Sequence, residues 1–146
     1  MHFLDTNIVL RLFNAAAPEH DSVRTAIGLL ESNGEEFRIG LQVLVEAWVV
    51  ATRPVERNGL GWSAEIAMAA LEAARTRFPV LVDDETTTGR WVDAVSKHVV
   101  LGKRAHDARI VALMASHGIT QLLTLNVQDF AGMPWVVPVH PDTVVK

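Results

Sequence analysis

Phe3-Leu4-Asp5-Thr6-Asn7-Ile8-Val9-Leu10 reads as a short buried strand that ends on an aspartate and turns at once into a helix. In an open α/β sheet, ligands sit beyond the carboxyl ends of the strands, where the strand order reverses. Asp5 therefore stands at such an edge from almost the first residue. The same position also suits a helix cap, since short oxygen-bearing side chains accept from the first free backbone N–H groups. Both readings stay open on this stretch alone. Acids that return to the same edge later in the chain would decide between them.

Outward from this stretch, strands alternate with helices, often two helices to a connection. The first helix is predicted over Thr6 to Phe13. A second, capped by Asp21 or Ser22, carries Val23, Ala26, Ile27 and Leu30 at helical spacing and stops at Asn33-Gly34. Phe37 to Leu41 alternates as a second strand. The next helix runs from Gln42 to Thr52, ahead of Pro54. The polar, glycine-bearing segment Val55 to Trp62 is expected to be a mobile connection. Ser63 caps a long helix with Ile66, Ala67, Ala70, Leu71 and Ala74 on one face, and Phe78 to Val82 is a third strand. A helix over Thr86 to Val100 is expected to turn Trp91, Val92, Val95, Val99 and Val100 inward. Another spans Ala105 to His117. Gln121 to Leu125 is a fourth strand, Asn126 to Pro134 a loop, and Val136 to Val139 a last strand. Such helical connections imply an α/β fold with a short, mainly parallel sheet covered on both faces.

The 146 residues suit one domain, 1–146, around one core. Hydrophobic residues at 49% and charged residues at 21% give a globular balance. The absence of cysteine removes disulfides, thiolate zinc sites and cysteine nucleophiles, and fits a reducing cytoplasm. An acid at position 5, with no basic region before an apolar core, argues against a signal peptide. Charged residues interrupt the apolar stretches, so no membrane span is expected. The formal net charge is −4. A protein that holds nucleic acid by charge alone is strongly basic. This chain would need a local basic patch, or cations at an acidic site.

Several polar residues fall where the topology gathers them. Asp5 follows the first strand and Glu46 lies on the helix after the second. Asp107 is near the start of the Ala105 helix, and Asn126 and Asp129 follow the fourth strand. Right-handed crossovers bring such positions to one sheet edge. Carboxylates crowded there oppose one another's ionisation. A hard divalent cation relieves that repulsion: Mg²⁺ and Mn²⁺ prefer oxygen ligands, and a metal so held can activate a water and stabilise a phosphoryl transition state. Each residue also has a plainer reading. Glu46 aligns with Gln42 and Arg53 as an exposed helix stripe. Asp107 favours the dipole of its helix. Asn126 and Asp129 form local turns. Lys103, Arg104 and Arg109 make the best local basic patch, or a solvated charged face, and His106 reads as a surface residue.

These segments carry a resemblance. Phe3-Leu4-Asp5-Thr6-Asn7-Ile8 resembles the opening motif of PIN-domain ribonucleases. Glu46 in its apolar helix matches their second acidic position. His106 to Ala112 resembles the segment with their third, and Leu123 to Phe130 the segment with their fourth. Order, spacing and length agree over essentially the whole chain, and the nearest branch is the VapC-type toxins of bacterial toxin–antitoxin pairs. The resemblance implies a three-layer α/β/α sandwich, a homodimer, and a Mg²⁺- or Mn²⁺-dependent endoribonuclease that cleaves RNA. It also implies a cognate antitoxin that occupies the active-site groove. Asp5, Glu46 and Asp107 would hold the metal. Thr6, Asn7 and Thr124 would support the carboxylates. Arg11, Lys103, Arg104 and Arg109 would guide the RNA backbone. Asn126 departs from the acid of many members, and Asp129 is the candidate replacement. That departure leaves room for a second expectation, a catalytically weak PIN-fold module that acts through protein binding. A phosphatase with Asp5 as nucleophile is disfavoured, because no second aspartate stands two residues after Asp5.

Overall fold

In the computed structural model, which describes residues 1–146, the opening motif forms β1 (His2–Leu4), the middle strand of a five-stranded parallel sheet. β2 (Phe37–Gly40) pairs on one side of it and β4 (Gln121–Leu123) on the other. β3 (Val80–Leu81) flanks β2, and β5 (Val137–Val139) flanks β4, giving the order β3-β2-β1-β4-β5. The register pairs Phe3 with Arg38 and with Leu122. Phe3, Leu4, Ile39, Leu122 and Leu123 are fully buried because helices cover both faces. Burying each such side chain stabilises the fold by about 1.5–3 kcal/mol.

The crossovers are helical. α1 (Thr6–Leu12) and α2 (His20–Ser32) join β1 to β2, and α3 (Leu41–Thr52) and α4 (Ala64–Arg77) join β2 to β3. α5 (Thr87–Lys97) and α6 (Arg104–Ser116) lead back across the sheet to β4. α7 (Val127–Phe130) precedes β5, and α8 (Pro141–Val145) follows it. Right-handed crossovers place α1–α4 on one face and α5–α7 on the other. The packing agrees: α1 touches α2 and α3, α3 touches α4, and α8 lies on α2, while α5 packs on α6 and α6 on α7. This is the expected three-layer sandwich. The chain leaves β1 in one direction and returns on its other side at β4, so the switch point lies between those two strands.

Five expectations need correction. The Val55–Trp62 segment is tied down rather than loose. It holds a 3₁₀ turn, Val55–Arg57, and the N–H groups of Leu60, Gly61 and Trp62 donate to the carbonyls of Val50, Arg53 and Ala51 at 2.8–2.9 Å. Only glycine fits at Gly59, where a Cβ would lie 1.9 Å from the Arg53 carbonyl oxygen. The Asn126–Pro134 loop contains α7, anchored by the buried Phe130. α8 gave no apolar period to detect; Pro141 opens it, and the His140 ring accepts from the Asp142 N–H. α2 begins at His20, ahead of both expected caps. α5 stops at Lys97, so Val99 falls outside the helix with a left-handed φ of 48° and, like Val92, is exposed; Ile66 on α4 also faces outward.

Candidate active site

Asp5 ends β1, where it both caps α1 and lines a cleft. Its Oδ1 accepts the Thr6 N–H at 2.7 Å, which starts α1. Its Oδ2 accepts the Thr124 hydroxyl at 2.7 Å and the Asn7 amide at 3.2 Å. Thr124 lies just past β4, across the switch point, and is fully buried. Its hydroxyl oxygen also accepts the Asn126 N–H at 3.0 Å and the Asn7 amide at 3.3 Å. The Asn7 carbonyl oxygen accepts the Leu125 N–H at 3.1 Å. Two short polar side chains, Asn7 and Thr124, together with the Thr6 N–H thus lock Asp5 and stitch the β1 edge to the β4 edge. Burial raises the Asp5 pKa, the hydrogen bonds from Thr124 and Thr6 oppose that shift, and the charges of Glu46 and Asp129 add to it.

Glu46 reaches the same cleft from α3. Its Oε2 accepts the Thr6 hydroxyl and its Oε1 the Gln42 amide, at 2.7 and 2.8 Å. Gln42 is buried, so the exposed-stripe reading of this face does not hold. Asp107 arrives from the first turn of α6. No protein group donates a hydrogen bond to its carboxylate. Burial, then the charges of Asp5, Asp129 and Glu46, push its pKa up from 3.8 to about 6, with Arg104 opposing. A helix-dipole role alone would favour the ionised form. Asn126 and Asp129 complete the wall after β4. These six groups, Asp5, Thr6, Glu46, Asp107, Asn126 and Asp129, line one cleft of about 490 Å³.

Other expected residues are spread more widely. Arg11 lines the cleft and pairs with Glu19 at 3.5 Å. Lys103 and Arg104 are exposed at the start of α6, and Arg104 donates to the Asp129 carbonyl at 3.3 Å. Arg109 is not in the cleft. Its guanidinium donates to Asp83 at 3.0 Å and to Gln42 at 3.1 Å. His106 is exposed. Two polar cleft residues were missed from the sequence, Glu19 and His140. His140 follows β5 as Asp5 follows β1, so the strand-edge rule could have found it. Glu19, at the start of α2, gave no such signal.

The cleft gathers five carboxylates, those of Asp5, Glu19, Glu46, Asp107 and Asp129, so hard oxygens dominate its polar lining. That chemistry fits a divalent cation of the Mg²⁺ kind. The side chains do not bring three carboxylates onto one coordination point. This spacing fits an ion that keeps several of its waters and takes few direct protein ligands.

Comparison with known proteins agrees with this geometry. A family model of the PIN domain matches residues 2–134. The chain is similar to ribonuclease VapC24 of Mycobacterium tuberculosis, with 29% identity over 135 residues that cover 87% of each protein. Its fold is similar to that of VapBC2 from Rickettsia felis, solved bound to a DNA fragment from their promoter. That match has a TM-score of 0.71 and 19% identity over 95% of this chain and 97% of the other. It is also similar to Mycobacterium tuberculosis VapC20, a sarcin–ricin loop cleaving toxin, with a TM-score of 0.63 and 23% identity over 94% of this chain and all of the other. With β1 ending on its clamped aspartate and four acids meeting at the switch point, this chain belongs to the PIN domain family.

Proposed function

We propose that this protein is an endoribonuclease toxin that cleaves RNA phosphodiester bonds with the help of Mg²⁺ or Mn²⁺ and is silenced by a cognate antitoxin. The observation that carries the reading is the gathering of Asp5, Glu46, Asp107 and Asp129 in one cleft at the switch point, a cluster whose repulsion a cation would relieve. Asp5, Glu46 and Asp107 would hold the cation. When bound, it supplies neutralisation of phosphate charge and a lower pKa for an attacking water. Thr6, Asn7 and Thr124 keep Asp5 and Glu46 in fixed orientations. The Asn126 carbonyl can accept from a water without adding charge, and Asp129 supplies the carboxylate that position lacks. Arg11, Lys103 and Arg104 flank the cleft as contacts for the RNA backbone. With a net charge of −4, the protein as a whole repels RNA, so binding depends on these groups and the cation.

An antitoxin partner is supported by the similarity to toxin–antitoxin complexes, such as VapBC-1 from nontypeable Haemophilus influenzae. A homodimer is supported by Leu41, Val45 and Val49. They form one stripe on α3 and are 61%, 53% and 49% exposed, with Val82 beside Leu41. No helix is long and apolar enough to cross a membrane, and cytoplasmic RNA is the proposed substrate pool. The deciding experiment incubates pure protein with total RNA, with Mn²⁺ or with EDTA, beside Asp5→Asn. New RNA ends that need both the metal and Asp5 support the reading. Cutting that persists in EDTA and in Asp5→Asn overturns it, and a parent that never cuts leaves the protein-binding module.

A further inference from the structure

Gln42 stands in the second position of α3, one turn before Glu46, and it is 8% exposed. Its carboxamide has both donors and one acceptor site in use. One amide hydrogen goes to Glu46 Oε1 and the other to the His106 carbonyl, both at 2.8 Å. Its oxygen accepts Arg109 Nη1 at 3.1 Å, and Arg109 Nη2 reaches Asp83 Oδ2 at 3.0 Å. A guanidinium has no acceptor. The carbonyl end of Gln42 must therefore face Arg109, and the NH₂ end must face Glu46. The flip that would set an amide oxygen against the Glu46 carboxylate is closed off by the charge behind it.

His106 is the residue before Asp107. A single side chain thus ties the carboxylate of α3 to the backbone that carries the carboxylate of α6. Like charges on Glu46 and Asp107 would otherwise push those two helices apart at this point. We propose that Gln42 is a positioning residue whose carboxamide, oriented by Arg109, fixes the separation of Glu46 and Asp107, so that the cation meets these two carboxylates at a set distance. The inference rests on the metal-dependent reading above. It gives Arg109 a different task from RNA binding, carried out behind the site.

Three variants and two measurements test this. Gln42→Leu removes both donors at similar size, Arg109→Met frees the amide to flip, and Arg109→Lys restores a donor. In calorimetric titrations with Mn²⁺, Gln42→Leu should weaken binding about 10–100-fold, the range typical of groups that hold metal ligands. Arg109→Met should weaken it less, and Arg109→Lys should recover much of the loss. With RNA, kcat should fall while KM stays near the parent's. A KM that rises at unchanged kcat in Arg109→Met would overturn the proposal and return Arg109 to the RNA. The second measurement needs neither metal nor RNA. In ¹⁵N–¹H spectra of the metal-free protein, the Gln42 side-chain amide protons should exchange slowly and lie away from free glutamine, and Arg109→Met should move them back. An ordinary, fast-exchanging Gln42 amide overturns the proposal even if Gln42→Leu fails to fold. If the parent binds Mn²⁺ and cuts RNA but Gln42→Leu matches it, positioning fails and the nuclease reading stands. If the amide behaves as expected and the parent binds Mn²⁺ but never cuts RNA, the nuclease reading fails alone.

Discussion

Asp5 and Asp107 face the same cleft from opposite walls, and the protein supports them differently. Asp5 receives a backbone N–H, a hydroxyl and an amide, all from the protein itself. Asp107 receives no hydrogen bond from the protein and is held beside three like charges. One wall is architecture that also presents an acid. The other wall is held against its own electrostatics. The contrast separates an acid that the fold also uses from an acid that the fold only strains, although both face the end of the same sheet.

The largest expected effect is on cleavage. Asp107→Asn should lower kcat/KM at least about 100-fold, or about 2.7 kcal/mol of barrier, with metal-free folding intact. Near-parental cutting by Asp107→Asn would erase the distinction between the walls. The clamped side should show the opposite balance. Thr124→Val strips one donor from a buried carboxylate and should destabilise the metal-free protein by about 1–3 kcal/mol in denaturant titrations. A neutral outcome would mean that Asp5 is not held by its neighbours.

Metal-free stability against pH sharpens the same point. The pKa of Asp107 is about 6 in the folded protein, above its ordinary 3.8, so the native state binds this proton more tightly than the unfolded chain. The parent should therefore lose stability relative to Asp107→Asn as pH rises from about 4 to about 6. By pH 7 the variant should be the more stable by about 1 kcal/mol, after allowance for solvent screening of a half-buried group. Equal slopes in the two proteins would remove the electrostatic strain. Saturating Mn²⁺ should reverse the order by stabilising the parent, by about 2.7 kcal/mol at a hundredfold excess over Kd. The smallest expected effect belongs to Asp129→Asn, a several-fold weaker Mn²⁺ titration. Unchanged affinity would make Asp129 an ordinary residue of α7.

Much of this was legible because it follows from period and topology. The Phe3-Leu4-Asp5 run, the alternating elements and the recurrence of acids after strands are one-dimensional signals of a parallel sheet with a switch point. The layers and the shared cleft follow from them. Side-chain partnership was not legible. Gln42 and Arg109 look like surface polar residues, and nothing local reveals that residues 67 apart in sequence share a hydrogen bond. α8 escaped because five residues opened by a proline have too little length to show a helical period. The Val55–Trp62 segment looked loose because its order comes from backbone donors that composition does not display.

The pairing of β1 with β4 has a consequence in time. Residues 2–4 must wait for residues 121–123, and Asp5 must wait for Thr124, 119 positions later. Contacts that span so much chain form slowly. On a translating ribosome, the N-terminal half of the site would remain an unfinished edge until nearly all the intervening sequence had been made. A protein built to cut RNA would thus stay harmless beside the very message and ribosome that are producing it.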